Sequence, residues 1–294
     1  MHGLGDVKLQ AGDLAGALAA YQESLEIDRM LAAQDPSNAR AQRHLSVTLE
    51  RLADAKLQRG DQAGALVAYQ ESLDIARKPA AQDQGNAELQ RDVAVSLNKF
   101  GHVELQAGDV ARALAAHQES LDILRKLAAQ NSGNGEAQRD LAASLDSLGE
   151  VKLQAGDLAG ALAAYEESLD IARKIATEDP GNGDAQRDVL QSLNKFGDVK
   201  LQRGDRAGAR AAYQQSLDIA RKLAAQDQGN AQGQTDLALS LYEMSRVVDA
   251  ARARAALTEA RSILEKLAQA HKLTAEQTDL LDMVRSAPKR SPAR

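Results

Sequence analysis

From Asn86 to Gly108 the apolar residues Val93, Leu97, Phe100, Val103 and Leu105 recur mostly at steps of three or four, with polar residues between them. That period puts them on one face of a helix. Asn86 stands where an N-cap side chain would accept an early backbone N–H. Gly108 stands where a left-handed C′ residue would end the helix. Asp109 follows at once as the N-cap of a second helix, its carboxylate at the positive end of the dipole. The second helix carries Val110, Ala113, Leu114, His117, Leu121, Ile123 and Leu127 and stops in the stretch AAQNSGN. The pattern predicts an antiparallel helical hairpin, a helix A and a helix B joined by a Gly-Asp turn.

The hairpin repeats. Gly-Asp recurs at 12–13, 60–61, 108–109, 156–157 and 204–205, 48 residues apart each time. Asn38, Asn86, Asn134, Asn182 and Asn230 keep the same step, as do Leu25, Leu73, Leu121, Leu169 and Leu217. No insertion or deletion interrupts it between Leu4 and about Tyr242. One hairpin cannot cover its own apolar face, whereas stacked copies can. The expected fold is all-α, a right-handed superhelical solenoid of helix hairpins over residues 1–272. Its units fall at about 1–35, 38–83, 86–131, 134–179, 182–227 and, in degenerate form, 230–272.

The ends and one internal residue depart from the period. Met1 falls in the middle of a helix A, so the first unit lacks the half equivalent to NAELQRDVAVSLN. That predicts upstream sequence in the native protein, or packing of the open end on another surface. Arg252 stands where the next turn glycine is due. Thr274 and Gln277 have capping-box spacing and open a terminal helix over 274–287 that seals the last apolar face. The Pro-broken basic segment 288–294 reads as a disordered tail. Pro79 replaces the Leu31, Leu127, Ile175 and Leu223 of the other copies, and predicts that its helix B kinks or ends near Lys78.

The residues quoted resemble the tetratricopeptide repeat. The helix A glycine is Gly5, Gly101, Gly149 and Gly197, with Ala53 once. The small residue of helix B is Ala17, Ala65, Ala113, Ala161 and Ala209; the aromatic is Tyr21, Tyr69, Tyr165 and Tyr213, with His117 once. The loop proline survives at Pro36 and Pro180. The family's unit is usually shorter, so the chain is similar to the elongated repeats of kinesin light chains and of many bacterial multidomain signalling proteins. The resemblance implies a non-enzymatic scaffold that binds a protein or peptide, as one segment of a larger cytoplasmic bacterial protein.

Composition narrows the chemistry. The formal charge of −6 disfavours broad phosphate-backbone binding, so no nucleic-acid partner is expected. The absence of cysteine excludes disulfides, thiolate nucleophiles and Cys-ligated zinc. No window approaches eighteen uninterrupted apolar residues, so no membrane partner is expected. MHGLGDVKLQ has no basic n-region or apolar h-region of a secretory signal.

No catalytic residue, cofactor or metal site is predicted. GLGDVK and GDLAG lack the strand context and spacing of a phosphate loop. No two of the five histidines share an i, i+4 face. Ser24, Ser72, Ser120, Ser168 and Ser216 are five equivalents, which marks packing rather than a nucleophile. Gly16, Gly64, Gly160 and Gly208 sit in first turns of helix B with no reason evident, and Arg112 takes that place once.

What remains is the face of helix A that lines the concave surface in the family. It carries Glu50 and Asp54, Asn98 and His102, Asp146 and Glu150, then Asn194 and Asp198, with Lys99 and Lys195 beside them. Each pair is spaced i, i+4 and projects from one face. The stripe predicts a groove for a protein or peptide partner of basic or amide-rich character. Two readings compete with it: self-association into dimers or fibres through the open first hairpin, and a small-ligand or enzyme pocket inside the superhelix. The near-identity of the copies suits a spacer, an avidity surface or a repetitive partner.

Overall fold

The computed structural model describes residues 2–130 and 135–287; residues 1, 131–134 and 288–294 lie outside the described residues. Among the described residues there are thirteen helices and no strand. They fall into two compact units, Met1–Ala155 and Gly156–Arg294, each described by itself. The first holds α1 (His2–Gln10), α2 (Leu14–Gln34), α3 (Ala39–Gln58), α4 (Gln62–Gln82), α5 (Ala87–Gln106), α6 (Val110–Gln130) and α7 (Gly135–Gln154). The second holds α8 (Leu158–Glu178), α9 (Gly183–Gln202), α10 (Arg206–Gln226), α11 (Ala231–Ser245), α12 (Ala250–Gln269) and α13 (Ala275–Ser286). Within each unit successive helices pack on one another in chain order.

Local chemistry sets the helix ends. The Asn38, Asn86, Asn182 and Asn230 side chains each accept a backbone N–H two or three residues on. At each Gly-Asp turn the glycine has φ between +79° and +86°, the left-handed conformation that a Cβ would strain. The following aspartate caps helix B: Asp13 accepts from the Gly16 N–H at 2.8 Å, and Asp205 from Gly208 at 2.8 Å. A Cβ on Gly16 would lie 2.0 Å from the Asp13 carboxylate, so glycine leaves the cap room, although Arg112 in the third hairpin keeps the same bond to Asp109 at 3.0 Å.

The exception at Arg112 is half of an exchange. In the second hairpin Lys56 Nζ donates to the Gly64 carbonyl at 3.2 Å. In the third, Glu104 replaces that lysine and is buried, and Arg112 replaces the glycine and pairs with it at 2.6 Å. The guanidinium also lies 5.1 Å from the centre of the Phe100 ring.

Cores form where helix A meets helix B. Leu97, Leu145, Leu193 and Leu241 are 1–2% exposed, which fixes the register of the A helices. Gly5 and Gly197 lie against the Tyr21 and Tyr213 rings; a Cβ would come within 2.3 Å and 2.6 Å of them. The repeated serines face across the hairpin. Ser72 Oγ donates to the Ser46 carbonyl at 3.1 Å, and Ser120 Oγ to the Ala94 carbonyl at 2.9 Å. Two series of ion pairs mark the repeat step. Arg29 meets Glu71 and Arg77 meets Glu119 along the B helices; Arg43 meets Asp92, Arg91 meets Asp140 and Arg187 meets Asp236 along the A helices. The exposed pairs along the B helices each contribute about 0–1 kcal/mol and specify spacing more than stability, whereas Asp236 in the last A-helix pair is buried.

One expectation is corrected. Helix α4 does not end near Lys78: it runs through Pro79 to Gln82, 21 residues like the other B helices. Pro79 lies in the last turn, is buried, and its carbonyl still accepts the Asp83 N–H at 3.0 Å. Only the bond its own N–H would make is lost. The sixth hairpin turns early. Helix α11 has 15 residues against the 20 of α9, and Asp249 caps α12 by accepting from Ala251 and Arg252. The turn therefore precedes the position where Arg252 stands for glycine. Thr274 and Gln277 bond each other's backbone in a capping box at the start of α13.

Candidate functional site

In the first unit the i, i+4 spacing brings the groove residues together, and the repeat step joins them to their neighbours. Tyr69 of α4 donates its hydroxyl to Asp54 of α3. Lys99 of α5 bonds Glu50 at 2.9 Å and Asp54 at 3.3 Å. Glu50 is buried and also accepts from Ser96 Oγ at 2.6 Å. Burial acts to lower the Lys99 pKa, but the Glu50 and Asp54 carboxylates outweigh it, and the ammonium ends above its ordinary range. Burial, then the Asp54 carboxylate, pushes the Tyr69 hydroxyl well up. The α1–α2 hairpin repeats the arrangement: Tyr21 donates to Asp6 at 2.6 Å, and Arg51 meets the same carboxylate.

The third hairpin carries different groups in the same places. His117 is buried where the tyrosine should be, its Nδ1 3.1 Å from Asn98 Oδ1. Ser144 reaches Asn98 at 3.5 Å. Burial, with His102 adding to it, pushes the His117 pKa down to about 4. His102 is exposed and shares a 3.0 Å hydrogen bond with Gln106. Asp146 is half-buried and Glu150 exposed.

In the second unit Tyr213 donates to Asp198 at 2.7 Å, and Arg246 meets Asp198 at 2.6 Å and Glu243. Burial, then the Asp198 charge, pushes the Glu243 pKa up to about 7. Asn194 is buried, and neither of its amide atoms has a hydrogen-bond partner among the described residues. Lys195 Nζ lies 6.0 Å from the centre of the Tyr165 ring. The predicted stripe is thus broken into paired clusters at hairpin joints around Asp54 and Asp198, with Glu50 and Asn194 withdrawn from the surface and Glu150 left exposed.

Open space in the first unit lies both at the ends of the B helices, in a depression of about 550 Å³ between Arg77, Gln84, Glu119 and Lys126, and toward the start of the A helices. On the A helices, a depression of about 630 Å³ is lined by Ala39, Arg40, Arg43, His44, Val47, Asn86, Glu88 and Leu89. A second, of about 430 Å³, runs from Arg43 past Arg91 to Asp140 of α7. A third, of about 240 Å³, reaches from Arg43 and Val47 to Glu50 and is walled by Pro79 and Val95. Arg43 belongs to all three. Among the candidate residues only Glu50 borders this space. Val47 and Val95 were missed, although a signal exists: they sit 48 apart on an otherwise polar face. Among the described residues no group of three or more His, Asp or Glu could hold a metal ion. No described helix is long and apolar enough to cross a membrane.

Comparison with known proteins agrees with the hairpin geometry. Tetratricopeptide-repeat family models match residues 92–174 and 189–228. These segments carry tetratricopeptide repeats. No curated protein matches its sequence. Among solved structures, BtubC (BKLC) from P. vanneervenii is similar with a TM-score of 0.62 and 18% identity, over 96% of this chain and 97% of that one. A putative kinesin light chain of Podosopora anserina, with nearly identical tetratricopeptide-like repeats, gives 0.56 and 16% over 78% and 95%. Nro1, described as a nuclear import adaptor, gives 0.57 and 16% over 96% and 90%. At these identities the likeness is one of fold: a tetratricopeptide-type solenoid.

Proposed function

We propose that the chain is a non-enzymatic scaffold that binds a protein or peptide partner along the A-helix face of its first unit. The supporting observation is the run of adjoining depressions along α3, α5 and α7, all bordered by Arg43. An extended segment laid across them would meet one set of side chains per repeat. Glu50, Asp54 and Asp198, expected to attract a basic partner, already meet cations, so shape and apolar contact carry the recognition more than net charge. Tetratricopeptide repeats typically serve protein interaction, and Nro1 is an adaptor; both favour the same reading. A place in a larger cytoplasmic signalling protein belongs to this proposal as context.

The test is selection of a displayed peptide library on the purified chain, followed by binding of the selected peptides to Val47→Asp and Val95→Asp variants. Both side chains are half-buried at the depressions. The scaffold reading expects loss of about tenfold or more in affinity with the thermal melt retained. Undiminished binding by both variants would place the interaction elsewhere.

A further inference from the structure

The smallest of the three spaces exists where the sequence breaks its own repeat. Its apolar wall is Val47 of α3, Ala76 and Pro79 of α4, and Leu89 and Val95 of α5. Pro79 stands where other hairpins have Leu31, Leu127, Ile175 and Leu223. A leucine or isoleucine reaches farther from the helix than a proline ring, which folds back on its own backbone. The cavity of about 240 Å³ beside Pro79 is below the roughly 300–1,000 Å³ of pockets that hold drug-sized ligands. It is large enough for one side chain.

The charged groups on its border are all engaged. Arg43 meets Asp92 at 2.8 Å and also Glu88. Arg91 meets Glu136 at 2.9 Å and also Asp140. Glu50 is held by Lys99 and Ser96. A charged group entering here would lose its water and find no unmatched counter-charge. An uncharged aliphatic group would lose nothing and cover the apolar wall. The larger depression shares Arg43, Val47 and Leu89 with the cavity, so a backbone lying there could send a side chain inward.

We infer that this cavity is an anchor pocket for one uncharged, branched aliphatic side chain of a partner peptide, opened by the proline at position 79. The inference rests on the scaffold reading above and supplies the partner's chemistry: an aliphatic anchor, not a basic one. It also gives one repeat a specificity that its near-identical neighbours lack.

The experiment is a ¹H–¹⁵N NMR titration of the full chain with N-acetyl-leucinamide and, separately, N-acetyl-lysinamide. Saturable shifts are expected around Val47, Ala76 and Val95 with the leucine probe, and about tenfold weaker binding with the lysine probe. Pro79→Leu restores the residue found at three other hairpins, so it folds, melts at or above the wild-type temperature, and loses the leucine response. The inference falls if Pro79→Leu responds like wild type, if the lysine probe binds equally well, or if no saturable shift appears. If the leucine response fails while selected peptides still depend on Val47 and Val95, only the pocket is wrong. If those peptides also ignore Val47 and Val95, the scaffold face itself is wrong.

Discussion

The Tyr213 hydroxyl donates to the Asp198 carboxylate across 2.7 Å, fifteen residues away on the partner helix of the same hairpin. Arg246, from the next hairpin, closes on that carboxylate at 2.6 Å. One acid therefore joins two helices of one repeat to the following repeat. Tyr213→Phe keeps the ring against Gly197 and removes only the donor. It should cost about 1.5–3 kcal/mol, the range for a hydrogen bond to a charged group. Urea unfolding followed by circular dichroism measures it; an unchanged midpoint would mean that Arg246 alone satisfies Asp198.

The third hairpin should make stability depend on pH. His117 has a folded pKa of about 4 against an ordinary 6.5. The unfolded chain then binds its proton more readily than the folded one, so stability rises with pH. The contribution is complete above about pH 6.5 and is lost as pH falls toward 4, by up to about 3 kcal/mol. His117→Tyr with His102→Asp rebuilds the tyrosine–aspartate contact of the other hairpins and should remove that loss. Chemical denaturation between pH 4 and 7 separates the outcomes: an equal slope in both proteins would clear His117 of responsibility.

Glu104 and Arg112 should behave as one substitution. Glu104→Lys sets an ammonium beside the guanidinium, and Arg112→Gly strands a buried carboxylate; each should cost about 2 kcal/mol. Together they recreate the lysine–glycine contact seen at Lys56 and Gly64. A double-mutant cycle should give a coupling of about 1–3 kcal/mol. Additive losses would break the account of why this repeat lost its glycine.

Much of the fold was legible because its determinants are local or strictly periodic. Asn86 and Asp61 cap helices through bonds two or three residues long, Gly108 turns on its own dihedral, and Leu97 keeps a helical period. The candidate site was less legible because its contacts cross hairpins. Lys99 stood beside the stripe in the sequence, but its pairing with Glu50 and Asp54 spans 45 residues or more and shows only once the hairpins stack. Pro79 misled for a related reason. Its cost depends on where it falls in the helix, and in the last turn only one bond is at stake. The cavity beside it needed three helices in place before it existed.

The most direct test of the scaffold reading uses the absence of cysteine in the chain. A single cysteine at Val95, or at the 68% exposed Val67 on α4, can carry a photoreactive label without competition. Library-selected peptides should cross-link to the label at position 95 and not to the label at 67. Cross-linking at 67 alone, or equally at both, would contradict binding along the A-helix face.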